Sequence, residues 1–152
     1  MITISANDND CQADLAKLQR RLGNMRPVMA GIANMMLEAV ERNFATETDP
    51  STGLRWTPLS TNTIKSRTKR GHWPGKILQV SGNLAASISA NYGDDYAIVG
   101  TNKVYAAIHH FGGSTGRRHA ANIPARPYLG LSKQAEQDII NTVSSYLTQG
   151  LT

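Results

Sequence analysis

Paired histidines, paired aspartates and a run of cations are the residues of this 152-residue chain with the chemistry to bind metals, shuttle protons or hold anions. His109 and His110 are adjacent, and neighbours on a helix point about 100° apart, so without an HExxH-type spacing they do not share a metal. Asp94 and Asp95 follow Gly93 in a turn-like stretch, where aspartate is favoured for its backbone geometry alone. His72 and His119 stand in basic, glycine-bearing stretches and read as surface histidines. Cys11 is the one cysteine, so neither an internal disulfide nor a thiolate metal site can form. No phosphate-binding loop, Gly-x-Ser-x-Gly elbow or dinucleotide glycine pattern is present. The expectation is a chain with no catalytic residue, no metal, no cofactor and no small-molecule substrate, and therefore not an enzyme.

The cations are another matter. Of the formal charge of +5, residues 50–135 carry a net +9, while residues 1–49 and 136–152 are each net −2. Such asymmetry points to a polyanionic partner or a charged assembly surface. The densest part is Lys65, Arg67, Lys69, Arg70 and Lys76, with His72 and Trp73 inside it. These five cations are candidate DNA contacts, able to neutralise phosphates beside a stacking indole, although no groove-reading motif frames them.

The elements that must position these residues follow from apolar spacing. One domain spanning 1–152 is expected at this length. Ile2, Ile4 and Ala6 alternate like a short strand. Asn7 to Asp10 cap a helix through Cys11, Leu15, Leu18 and Leu22, ended by Gly23-Asn24. Pro27 starts a second, through Val28, Ile32, Met35, Met36, Ala39, Val40 and Phe44 to about Thr46. Residues 47–81 lose this pattern, with a helix expected at Thr61 to Arg67 and the rest anchored by Trp56 and Trp73 or ordered by a partner. Ser87 to Tyr92 and Tyr96 to Val99 flank Gly93-Asp94-Asp95 as a hairpin. Tyr105 to Phe111 predicts a brief helix, residues 114–122 an exposed loop bearing Arg117 and Arg118, and Ser132 caps a last helix through Ile139, Ile140, Val143 and Leu147. The predicted fold is α+β: a small antiparallel sheet, made of the hairpin and the N-terminal strand, against two or three amphipathic helices, with mobile basic loops at 47–81 and 114–122. No apolar stretch approaches a membrane span, and the N-terminus lacks the pattern of a secretory signal, which predicts synthesis and action beginning in the cytoplasm.

Five stretches, in order, carry a resemblance. They are Gly53-x-x-Trp56-x-Pro58-Leu59 with Thr63 and Lys65; Ile77-Leu78-x-x-Ser81-Gly82-x-Leu84-x-x-Ser87-Ile88; Val99-Gly100-Thr101; Tyr105-Ala106-x-Ile108-His109-x-Phe111-Gly112-Gly113; and Ile123-Pro124-Ala125-Arg126-Pro127-Tyr128-Leu129-Gly130-Leu131-Ser132. Together they resemble the virion morphogenesis, or tail completion, family of Mu-like and related tailed phages and prophages. His110 departs from the pattern, where glutamine is expected, and so does the length of the 114–122 loop. The resemblance implies a structural protein of the virion neck or tail terminus that forms a ring of its own copies, ends tail growth and readies the tail for head joining. Its partners would be tail and head-connector proteins, with non-specific contact with genomic DNA, and its place the virion after assembly in the host bacterial cytoplasm. Pro124 and Pro127 pre-order the segment bearing Arg126 and Tyr128, which suits docking to a subunit, or else Arg126 pairs with a carboxylate of its own fold. Trp73, Arg117 and Arg118 are the other expected partner contacts. A DNA-binding accessory module is the alternative.

Overall fold

A computed structural model describes residues 8–151. The strand expected at residues 1–6 lies outside the described residues.

Helix α1, Asp8–Leu22, and helix α2, Arg26–Thr46, follow the two apolar periodicities of the N-terminal third. Gly23 breaks the first, its N–H returning to Gln19 O at 3.0 Å. Pro27 stands in the first turn of α2, where a missing N–H costs nothing. Val28, Ile32, Ala33, Ala39, Val40 and Phe44 give α2 its buried stripe, and Glu47 ends it in the left-handed region at φ 56°. Helix α3, Thr61–Lys69, starts at Ser60, whose Oγ accepts from Thr63 N at 3.3 Å. Strands β1, Ser89–Tyr92, and β2, Ala97–Gly100, form the expected hairpin, with Ala90 opposite Val99 and Asn91 opposite Ile98. One face of this two-stranded sheet packs on α2. Helix α4, Ala106–Phe111, is a turn and a half, and α5, Lys133–Thr148, is capped by Ser132 Oγ accepting from Ala135 N at 3.2 Å. Helix α5 packs on both α2 and α1, and Arg21 closes its end by donating from Nη1 to Tyr146 O and Leu147 O.

The α+β class holds, and three details of it change. Where residues 114–122 were expected to loop freely, strands β3, Gly113–Thr115, and β4, Ala121–Ile123, pair antiparallel around a single 3-10 turn, Arg117–His119. Their runs of three residues are too short to show a period of two. The described residues thus hold two separate two-stranded sheets, while the five α-helices stand where the spacing predicts them. Nor is 47–81 a structureless excursion. Thr48 bridges to Arg55, Asp49 N donates to Leu54 O at 2.8 Å, and Trp56 N donates to Glu47 O at 2.7 Å, a tight turn that returns Trp56 to the end of α2. Trp56 and Ile77 join Val40, Phe44, Leu84, Ala106 and Tyr128 in one core cluster. Burying side chains of that size contributes about 1.5–3 kcal/mol each, so of the two expected ways of ordering this segment, anchoring by Trp56 is the one the fold uses.

Candidate functional site

The stretch 123–132, the last of the matching series, packs among α2, α4 and the Trp56 turn. Asn43, a buried polar residue on the apolar stripe of α2, donates from Nδ2 to Tyr128 O at 3.0 Å and Gly130 O at 3.1 Å. The Trp56 indole donates to Pro127 O at 2.8 Å. Arg126 N donates to His109 O at 2.9 Å, and the Tyr128 hydroxyl donates to Ala106 O at 2.9 Å. The N–H groups of Tyr128 and Leu129 both point at His110 Nδ1, at 3.3 and 3.4 Å. Rings close the assembly: Phe44 lies 4.9 Å from Tyr128 and meets Trp56 edge-on at 5.9 Å, and His110 meets Tyr128 edge-on at 5.1 Å. An irregular segment inside a protein needs partners for its carbonyls and N–H groups, and this one takes them from side chains of α2, α4 and the Trp56 turn and from the backbone of α4.

That corrects the reading of Tyr128 as a contact to a partner, and it gives Arg126 a role inside its own fold. Tyr128 is 0% exposed and Arg126 6%. Arg126 donates from Nε to Thr57 O at 3.0 Å and from Nη2 to Pro58 O at 3.3 Å, so it clamps residues 57–58 through carbonyls and not through the carboxylate that was the alternative. A guanidinium fork fits two adjacent carbonyls as readily as one carboxylate. Burial and the nearby Arg67 both lower the affinity of Arg126 for its proton.

His110 has a definite job. With Nδ1 accepting two N–H groups it must be neutral there, and burial lowers its pKa, against a smaller raising influence of Asp49. His109 is lowered by burial and by Arg126, and its Nδ1 is buried without a hydrogen-bond partner. The paired histidines therefore diverge, one inward to the backbone of 128–129 and one beside Arg126. Among the described residues no group of three or more His, Cys, Asp or Glu side chains could hold a metal, and no helix is long and apolar enough to cross a membrane.

The basic candidates divide. Lys65, Lys69 and Arg70 are exposed on or just after α3. Arg67 is half-buried and donates from Nη1 to Lys76 O at 3.0 Å. Lys76 donates from Nζ to Ala45 O at 2.6 Å, and Gln79 donates to Phe44 O at 2.9 Å, both meeting carbonyls at the C-terminal end of α2 where a cation is favourable. Trp73 is 37% exposed over a slot of about 260 Å³ that it shares with Trp56, Leu59 and Ile64. Arg117 and Arg118 are exposed on the separate β3–β4 turn, with Arg118 left-handed at φ 57°. The structure thus brings the α3 cations and Trp73 to one region and places Arg117 and Arg118 on another element. Sequence reasoning passed over Asn43 and the acceptor role of His110. Asn43 leaves a usable signal, an amide set between Val40 and Phe44 on an otherwise apolar face. His110 leaves one in its departure from the glutamine expected there, since both side chains offer an acceptor.

Exposed apolar side chains concentrate between residues 92 and 111: Tyr92, Tyr96, Ile98, Val104 at 98%, Tyr105 and Phe111 at 77%.

The comparisons with known proteins agree with this arrangement of matched stretches. The model of the phage virion morphogenesis family matches residues 6–148. The chain is 35% identical over 151 residues to the putative capsid assembly protein G of Escherichia phage Mu, covering 95% of this chain and 97% of that protein. It is 37% identical over 147 residues to the Mu-like prophage FluMu G protein 2 of Haemophilus influenzae, covering 96% of each, and 35% identical to the G protein 1 of the same organism, covering 90% and 94%. No solved structure matches. With nearly its whole length matched, the chain belongs to the phage virion morphogenesis family.

Proposed function

We propose that this protein is a non-enzymatic structural component of tail completion and head–tail joining, and that its copies assemble into a ring at the neck or tail terminus. The observation that carries the reading is the contrast between two parts of one fold. Polar groups that a catalytic site would present, His110, Asn43 and Tyr128 among them, are spent on the chain's own backbone. Large apolar side chains, Val104 and Phe111 foremost, are left bare, and such surface on an assembly protein belongs against neighbours. The printed name of the phage Mu relative refers to the capsid, and a protein of the neck stands where capsid and tail meet.

Tailed-phage complementation tests it. A phage lacking this gene should make filled heads and tails that stay apart in electron micrographs, with irregular tail lengths, and the intact gene should restore joined particles. Joined, infectious particles in its absence would refute the reading. Contact with passing DNA is a second role, favoured by the exposed Lys65, Lys69 and Arg70. It predicts weak binding indifferent to sequence and lost steeply with salt.

A further inference from the structure

Arg126 leaves a charge unanswered. A guanidinium keeps its proton inside a protein, so its burial to 6% exposure takes a full positive charge out of water. Its two hydrogen bonds, to Thr57 O and Pro58 O, satisfy donors without supplying an opposite charge. Arg126 takes part in neither of the ion pairs seen among the described residues, Lys17 with Asp14 and Arg26 with Asp94. The charge that does reach it is the like charge of Arg67. A buried ion without a partner is rare unless something outside the isolated chain supplies one.

The surroundings point to the supplier. Arg126, Arg67 and His109 line one cleft of about 400 Å³, reached also by Asn122 of β4. His109, whose Nδ1 is buried without a hydrogen-bond partner, stands in the same wall. Much of the rest of the cleft is apolar, from Leu59, Leu78 and Pro124. We propose that this cleft receives the carboxylate of a glutamate or aspartate from a partner protein of the virion. A carboxylate on a methylene stem suits apolar walls with a guanidinium fork at their end. A phosphodiester backbone is a continuous, strongly solvated polyanion that needs an open track of cations. Lys65, Lys69 and Arg70, the exposed cations of α3, do not line the cleft, and that separates this site from any DNA-facing surface.

The proposal rests on the assembly reading only in taking the carboxylate from a virion protein; the recognition itself is measurable on the purified full chain. In an NMR titration, a blocked tripeptide Ala-Glu-Ala should shift the Arg126 Nε–H and Asn122 side-chain amide signals saturably, and Ala-Gln-Ala should leave them unmoved. Arg67→Gln, which keeps the Arg126 clamp and loses the bond from Arg67 to Lys76 O, should weaken the glutamate peptide about tenfold at a temperature where variant and parent are both fully folded. Asn122→Asp, which brings a carboxylate of the chain's own to the cleft, should abolish binding. Equal shifts with both peptides, or no shift with either, overturn the proposal. So does movement of the same signals by sodium phosphate or duplex DNA while the glutamate peptide is silent, which would make this a phosphate site. Phage complementation fails separately: if joining proceeds without the gene, the proposed function falls and the peptide measurement still stands.

Discussion

At the scale of single residues, the segment 123–132 is held by side chains whose partners lie far away in the chain. Asn43 serves two carbonyls from one amide, so Asn43→Ala strands a buried Tyr128 oxygen and should cost about 2–3 kcal/mol. Tyr128→Phe keeps the ring contacts and loses the bond to Ala106 O, for about 1 kcal/mol. Urea or thermal melts should rank the two in that order, each kcal/mol lowering Tm by about 3 °C for a chain of this size. His110 gives a pH signature. Its folded pKa lies below the ordinary 6.5, because burial disfavours the cation and protonation would remove the Nδ1 acceptor. The unfolded chain then binds the proton more tightly, so the stabilising contribution is complete above about pH 6.5 and falls away as pH drops through that value. His110→Gln, retaining an acceptor but no titrating group, should flatten the stability profile between about pH 5 and 7. It should not remove the slope entirely, since His109 is lowered as well. An unchanged slope would exclude this role for His110.

At the scale of elements, the joint between α4 and β3 is the most exacting. Gly112 has φ +72°, and a Cβ there would lie 2.6 Å from Ala125 N and 2.8 Å from Ile123 O. Both are backbone atoms that cannot step aside, so β4 and the clamp segment can reach α4 only past a bare Cα. Gly53 has the same φ with nothing within 4 Å of the added atom. Gly53→Ala should therefore cost about 1 kcal/mol from backbone conformation alone, whereas Gly112→Ala should cost at least twice that or prevent folding. Circular dichroism melts of the two variants test the difference. Helix α3 predicts the reverse pattern. Lys65, Lys69 and Arg70 are exposed and make no ion pair among the described residues, so replacing all three with glutamine should change stability by no more than about 0.5 kcal/mol per site. Retention on a DNA column at low salt should be lost in the same variant if α3 is the surface that meets DNA.

At the scale of the whole molecule, a single core unites α2, the Trp56 turn, α4 and Tyr128, while apolar side chains between residues 92 and 111 stay outside it. That division predicts separable defects. Val104→Asp should leave the melting of the single chain within about 0.5 kcal/mol of the parent, and Phe111→Asp, which loses one edge-on contact with His110, within about 1 kcal/mol, because both side chains are largely bare. The same changes should abolish self-association in sedimentation experiments and block head joining in phage. Destabilised monomers, or rings that form normally, would show that this surface is not the one used for assembly.

The sequence by itself determined the parts that depend on neighbours along the chain. The stripe from Val28 to Phe44 gave α2, Ser60 and Ser132 gave helix caps, and Gly93-Asp94-Asp95 gave the first hairpin, since spacing, caps and turns act within a few residues. The ordered series of short motifs was also legible, and with it the family. Tertiary structure alone decided what those motifs do. Arg126 and Tyr128 read as presented residues because prolines flank them locally. Their fate is settled by Thr57, Asn43 and Ala106, which no local pattern connects to them. The second hairpin escaped notice for a related reason: its strands of three residues are too short to show a pattern, and their approach to α4 depends on the bare Cα of Gly112. Local chemistry specified the pieces, and bonds between side chains and distant carbonyls specified which surfaces stay exposed.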